Sequence, residues 1–199
     1  MAKEIYVVGN KVDIPDESKI STHDGLDSIV FVGKMDYEPN VVAVTYFAHK
    51  IFPSLKQMNP NLKFIIVGIR PDGRVKKLSD LKDIIVTGYV ESVISFYQSA
   101  TIIVAPMLTG AGIQNKIIQA MAYGCCVVTT PIGAEGLMIN KGEIAIYDSD
   151  QKMINGIHVL LNNRRKRIEM GDKARKYVID HLSENIISKQ FWDFVNGNT

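Results

Sequence analysis

The chain is 199 residues long, 46% hydrophobic and 22% charged, with a formal net charge of +2. Such a chain can bury one sizeable core and is neither disordered nor fibrous. A charge this close to neutral, with no basic stripe, argues against a nucleic-acid partner, apolar runs well short of ~18 residues argue against a membrane span, and Met1-Ala2-Lys3-Glu4 lacks the apolar core of a signal peptide.

Ile5 to Val8 is a short apolar run closed by Gly9 and predicts an edge strand and turn, while Asp16 to Asp27 is polar and predicts a loop. Ile29 to Val32 predicts the next strand, followed by Gly33-Lys34-Met35. Pro39 stands where a helix tolerates proline, and Val41, Val44, Phe47, Ala48, Ile51 and Leu55 give that helix one apolar stripe. Phe64 to Val67 predicts a buried strand with Ile69 to Gly73 as the loop after it, Val75 to Leu81 a short helix, and Ile84 to Thr87 a strand leading to Gly88-Tyr89-Val90-Glu91. Val93 to Ser99 predicts a helix and Thr101 to Ala105 a β-branched strand.

The stretch from Pro106 to Leu137 organises the rest. Gly110 and Gly112 bracket Ala111, so the chain can turn sharply and offer N–H groups at the start of a helix beginning near Ile113, a position suited to an anion. Ile113, Ile117, Ile118 and Met121 keep the spacing of a buried face, and Gln119 is expected as a polar residue on the inner side, bound either to a local partner or to a ligand. Gly124 ends the helix as a left-handed cap would, and Cys125 to Thr130 predicts a parallel strand. Neighbouring cysteines in a strand point to opposite faces, so Cys125 and Cys126 are poor disulfide partners and suit a reducing cytosol. After the loop Gly133 to Leu137 come a strand from Ile144 to Tyr147, helices near 151–161 and 164–180, and a last helix from Ser183-Glu184 that contains Phe191, Trp192, Phe194 and Val195. Arg164 to Arg167 is a solvated helix start or a patch for anionic lipid, and the four histidines form no metal-ligand spacing. About six strands alternating with helices predict a parallel sheet whose ligand crevice lies at the carboxyl ends of its strands.

Gly110, Gly112, Lys116, Gln119-Ala120-Met121-Ala122, Gly124 and Gly133-Ala134-Glu135-Gly136-Leu137 resemble, in order and spacing, the signature of the retaining GT-B glycosyltransferases of family four, the group 1 type. That signature is a glycine loop, a helix reading roughly K-x-L-E-A-M-A-x-G, an apolar strand and G-x-E-G. The resemblance implies an α/β, Rossmann-like parallel sheet of about six strands with helices on both faces, one half of a GT-B enzyme. Residues 1–199 would then be a single nucleotide-sugar-binding domain, with the amino-terminal acceptor domain absent. Asn10-Lys11-Val12-Asp13 is similar to the family's interdomain segment, so residues 1–15 are expected to be linker and first strand. Residues 183–199 are expected to form a terminal helix that either crosses onto the amino-terminal domain, as in that fold, or packs on its own.

The resemblance also implies roles. Gly33-Lys34 matches a G-R or G-K pair whose cation contacts the donor diphosphate, which makes Lys34 the expected leaving-group stabiliser and leaves no other catalytic residue assigned. Asp36 to Asn40 matches a D-Y-x-P-N loop, which places Asn40 at the donor but lacks the lysine-glycine pair of the commoner branch. Arg70 is then either the second cation or an exposed loop arginine. Tyr89 and Val90 would read the nucleotide base through their backbone, and Gly110, Ala111, Gly112, Ile113, Gln119 and Glu135 complete the donor site. Ala111 and Gln119 replace the two glutamates usual in the family. A carboxylate accepts twice from the ribose diol where an amide accepts once, a loss of ~1 to 2 kcal/mol. Glu135 would meet sugar or ribose, or cap its own loop.

The implied reaction moves a sugar from a nucleotide diphosphate donor to an acceptor hydroxyl, with retention, in bacterial capsule, lipopolysaccharide or other surface polysaccharide biosynthesis. It would need neither metal nor cofactor. Its partners would be the nucleotide-sugar donor, a glycan or lipid-linked acceptor and the missing domain, without which this chain is expected to be inactive. The expected location is cytoplasmic, or peripheral at the inner face of the membrane. Two alternatives stay open: a non-catalytic interaction module descended from such a domain, and a nucleotide-sugar epimerase, which would want more carboxylates or histidines in the cleft. No G-x-G-x-x-G follows the first strand, which argues against a dehydrogenase.

Overall fold

The structure is a computed structural model that describes residues 12–21, 27–110, 112–139 and 142–195, with residues 190, 191, 193 and 194 described in backbone only. The expected strand Ile5 to Val8 and Ala111 lie outside the described residues. Among the described residues six strands form one parallel sheet: β1 (Ser28–Val32), β2 (Lys63–Val67), β3 (Ile84–Gly88), β4 (Ile102–Ala105), β5 (Val127–Thr129) and β6 (Ala145–Ile146), in the order β3-β2-β1-β4-β5-β6. β1 is central because it pairs on both sides, Ile29 standing opposite Phe64 of β2 and Ile102 of β4. Every residue of β1 and β4 is buried. Strands covered on both faces need no polar alternation, which is why these runs read as continuously apolar.

The helices are α1 (Glu38–Tyr46), α2 (Phe52–Met58), α3 (Gly73–Lys76), α4 (Ile94–Ser99), α5 (Asn115–Ala122), α6 (Asp150–Leu161), α7 (Arg164–Leu182) and α8 (Glu184–Val195). The long stripe expected from Pro39 onward is interrupted by a π-helical turn, Phe47–Ile51, in which the Phe52 N–H donates to the Phe47 carbonyl five residues back. Pro53 follows at once and has no N–H to continue a regular ladder. Phe47 and Phe52 pack on Phe64 of β2 with ring centroids 4.8 and 5.8 Å apart, each such side chain contributing ~1.5 to 3 kcal/mol by burial. A Cβ on Gly68, whose φ is +153°, would overlap the Gly33 carbonyl oxygen. This contact fixes how closely the ends of β1 and β2 approach.

α6 packs on α2, and α7 on α5. Arg167, expected in a solvated basic run, is instead buried, and its Nη1 donates to the carbonyls of Leu160 and Leu161 at 2.7 and 2.9 Å. It thus satisfies the carboxyl end of α6, the place where a cation is favoured. Arg175 of α7 donates to the carbonyls of Ala122 and Pro15 at 2.5 and 2.8 Å and pins the first described segment to the end of α5. α8 packs on α7, with Trp192 59% exposed. Among the described residues no helix is long and apolar enough to cross a membrane.

Candidate functional site

The strand order reverses between β1 and β4, and an open parallel sheet has its crevice at that switch point, outside the carboxyl ends of the strands. Three loops meet there. A Cβ built on Gly110, in the loop after β4, would lie 3.9 Å from Cβ of Pro39 at the start of α1. One built on Gly136, in the loop after β5, would come within 2.9 Å of Cγ1 of Ile113. Two threonine hydroxyls hold the last two loops together: Thr129 donates to the Ala105 carbonyl at 2.7 Å and Thr130 to the Met107 carbonyl at 2.5 Å. The Gly133 N–H then donates to the Thr130 hydroxyl at 3.1 Å.

Lys116, in the first turn of α5, points its ammonium into this region. Its Nζ donates to Oε1 of Gln114 at 2.8 Å, lies 3.8 Å from Sδ of Met107 and sits 5.7 Å from the ring centroid of Phe31 in β1. Burial pushes its pKa down from 10.5 to about 8. No carboxylate pairs with it among the described residues, and the neighbouring helix end makes matters worse. Gln114, the N-cap of α5, makes no side-chain cap bond, and its Nε2 donates instead to the Gly112 carbonyl at 3.2 Å. A cation at the positive end of a helix dipole is unfavourable by itself. Both features are relieved by one thing, an anion in the crevice.

The other expected residues are placed as follows. Lys34 is exposed beside the crevice, and its carbonyl accepts from Nδ2 of Asn40 at 2.9 Å. Asn40 is buried, so it shapes the Gly33-Lys34 turn from below, and its Oδ1 has no partner among the described residues. Arg70 has a φ of +52° and faces Asp36 at 3.4 Å. Arg74 spans Glu38 at 2.6 Å and Asp72 at 3.0 Å and holds the Glu38 carboxyl below the usual range. The arginines on this flank are therefore already matched by carboxylates. Tyr89, 74% exposed, and Val90, partly buried, follow edge strand β3 and are separated from β1 by β2. Gly110 and Gly112 turn at φ +125° and +73°. Ile113 lies in the loop and packs on the core because α5 begins two residues later. Glu135 is exposed on the turn after β5.

Gln119 corrects the expectation of an inward polar residue. Ile117, Ile118 and Met121 take the inner face of α5 as their spacing predicts, and Gln119, about 100° around the helix from Ile118, is exposed. Its Oε1 accepts from the hydroxyl of Tyr97 at 3.4 Å, and Tyr97 is itself buried against Tyr123, ring centroids 5.0 Å apart. The site residue that sequence reasoning overlooked is Lys116, visible only as one letter of a motif. Its signal was a lysine directly before the buried pair Ile117-Ile118, where the helix carries its stem inward. Among the described residues no three His, Cys, Asp or Glu side chains gather as a metal-ligand set.

The family model described as Glycosyl transferases group 1 matches residues 27–163. The 44.6 kDa protein in cps region of Klebsiella pneumoniae, itself uncharacterised, is 27% identical over 176 residues, which cover 84% of this chain and 45% of that protein. The chain thus spans less than half the length of this relative. Among solved structures, a mutant of TarM from S. aureus in complex with Fondaparinux, alpha-GlcNAc-glycerol and UDP is similar with a TM-score of 0.78 at 17% identity, over 96% of this chain and 39% of TarM. The C-terminal domain of LpcC, a glycosyl transferase group 1 family protein from Francisella tularensis, is similar with a TM-score of 0.63 at 20% identity, over 84% of this chain and 90% of that domain. These structures share the Rossmann-like half of the GT-B fold.

Proposed function

The chain belongs to the group 1 glycosyl transferases, and on that footing we propose that it is the donor-binding domain of an enzyme that moves a glycosyl unit from a nucleotide diphosphate sugar to an acceptor hydroxyl with retention at the anomeric carbon. The observation that supports this best is the half-buried Lys116 ammonium, without a carboxylate, at the uncapped start of α5. As the bond from the anomeric carbon to the diphosphate breaks, its electron pair stays with the diphosphate. The growing charge meets Lys116, the N–H groups opening α5, and Lys34 at the rim. Fixed donors of this kind act where charge develops and need no reorganisation during the step. Gln119, exposed and steadied by Tyr97, is the group assigned to the ribose. Tyr89 and Val90 are assigned to the base, and Glu135 to sugar or ribose.

The proposal extends to an amino-terminal domain that completes the cleft, in keeping with the length of the Klebsiella relative. That relative's place in a cps region also supports a role in surface glycan assembly. The test is thermal unfolding of the chain with UDP, GDP and ADP, each with magnesium or with a chelator. UDP comes first because the TarM structure holds it. A nucleotide at 100 times its dissociation constant adds about 2.7 kcal/mol, a rise of roughly 5 to 10 °C for a domain of this size. A rise with one nucleotide, unchanged by the chelator, is expected. No rise with any of them, or one that vanishes with the chelator, refutes the proposal as stated.

A further inference from the structure

We infer that Arg175 is a positioning residue for the anion site at the start of α5. Together with the segment 12–21 it fixes the opposite end of that helix, so that an anion at one end and the docked segment at the other reinforce each other. That the anion is a nucleotide rests on the donor reading above, whereas the coupling along α5 does not. α5 is only eight residues long, a length at which a helix is marginal without outside support. Its amino end supplies little, since no side chain caps it and Lys116 sets a cation against the dipole there. The buried face of Ile117, Ile118 and Met121 holds it to β4 and β5. Its carboxyl end supplies the rest.

The carbonyls from Ala120 to Tyr123 all have partners. The turn through Gly124, at φ +67°, satisfies two of them locally: the N–H of Cys125 donates to the Ala120 carbonyl at 3.0 Å and that of Gly124 to the Met121 carbonyl at 2.9 Å. The other two are met from distant parts of the chain. The Ala122 carbonyl accepts from Nη1 of Arg175 at 2.5 Å, and the Tyr123 carbonyl from the N–H of Ser21 at 2.8 Å. Nη2 of Arg175 also donates to the Pro15 carbonyl at 2.8 Å, and Nε2 of Gln98 in α4 to the Ser18 carbonyl at 3.3 Å. Guanidinium and segment thus form one clamp on the end of α5. A cation is favoured at the carboxyl end of a helix, and the planar fork of arginine reaches helix and segment together. An anion at the amino end stabilises the same eight residues from the other side. Each makes the helix easier for the other to hold, and such coupling is reciprocal.

The experiment is amide hydrogen exchange of the ¹⁵N-labelled chain, titrated with UDP, GDP and ADP and read at two sites. Ser21 reports the clamp, and Ile103, whose N–H donates to the Cys126 carbonyl at 2.9 Å inside the sheet, reports global unfolding. The nucleotide that binds is expected to slow Ser21 by about fivefold or more, levelling off once the site is full, while Ile103 keeps slowing as more is added. Arg175→Met should bind that nucleotide about fivefold more weakly, and Arg175→Lys, which keeps the charge without the fork, should fall between. A merely structural anchor would lower the thermal midpoint of Arg175→Met and leave Ser21 indifferent to nucleotide. Without any ligand, Lys116→Met removes the cation at the amino end and should slow Ser21, by a smaller factor than Ile103. The inference is overturned if a bound nucleotide leaves Ser21 unchanged or slows it in step with Ile103 at every concentration, or if a folded Arg175→Met binds as tightly as its parent. Should Arg175→Met not fold, exchange in the parent chain decides alone. If no nucleotide binds, the donor reading fails and Lys116→Met decides the coupling: the smaller slowing at Ser21 supports it, and none, or one equal to that of Ile103, overturns it.

Discussion

Replacing Lys116 by methionine tests the central electrostatic argument, because it keeps the stem and removes the charge. At ~1.4 kcal/mol per pH unit, a fall from 10.5 to about 8 places about 3 kcal/mol against the charged form in the folded chain at neutral pH. The variant also loses the bond from Nζ to Gln114 Oε1, about 1 kcal/mol. Lys116→Met should therefore be more stable than the parent by about 2 kcal/mol, a rise of roughly 4 to 8 °C in the midpoint. The sign with pH follows from proton counts. Between pH 8 and 10.5 the unfolded lysine is charged while the folded one is neutral, so the unfolded state binds the extra proton and the parent gains stability as pH rises. The stability gap between variant and parent is full below pH 8 and closes toward pH 10.5. Thermal unfolding from pH 7 to pH 10 measures it. Calorimetry with the nucleotide that binds should show a loss of about 10- to 100-fold in affinity, and in the parent a proton taken up on binding above pH 8. A variant less stable than its parent, with a constant gap across this range and undiminished nucleotide affinity, would refute the reasoning.

Gln119→Glu should tighten a ribonucleotide about tenfold, since a carboxylate can accept from Tyr97 and from a ribose hydroxyl together; the 2′,3′-dideoxy analogue should bind both proteins alike. Equal gains for both ligands would remove the ribose from Gln119. Gly68→Ala should destabilise by about 3 kcal/mol or more, because its Cβ overlaps the Gly33 carbonyl; a denaturant midpoint within 1 kcal/mol of the parent would show that the ends of β1 and β2 can separate.

The sheet was legible because its strands are β-branched runs without alternation, and no other element type suits Ile29 to Val32 or Thr101 to Ala105. The glycine loops were legible for a similar reason, since Gly110 and Gly112 both need positive φ. Phase was harder. The stripe Ile117, Ile118 and Met121 is buried as its spacing predicts, but Gln119 follows Ile118 by one residue, about 100° around the helix, which carries it off that face and out to solvent. Lys116 was hidden because a lysine at a helix start is usually solvated, and only the packing of Met107 and Phe31 shows otherwise. The basic run misled in the same way. Nothing local announces that Arg167 turns back to the carbonyls of Leu160 and Leu161, since that contact depends on the corner between two helices.

The π-helical turn at Phe47–Ile51 divides one long helix into two. Upstream, Pro39 and Asn40 flank the crevice while Val41, Ala43 and Val44 are buried in the core, and downstream Phe52 and Leu55 pack in the core around Phe64. In an unbroken helix a twist of ~100° per residue ties every side chain to every other, so repacking the core would swing Asn40 away from the Lys34 carbonyl. The wide turn breaks that tie at one point, so the aim of Asn40 follows the packing of its own helix through Val41 and Val44 and is not set directly by the fit of Phe52 and Leu55.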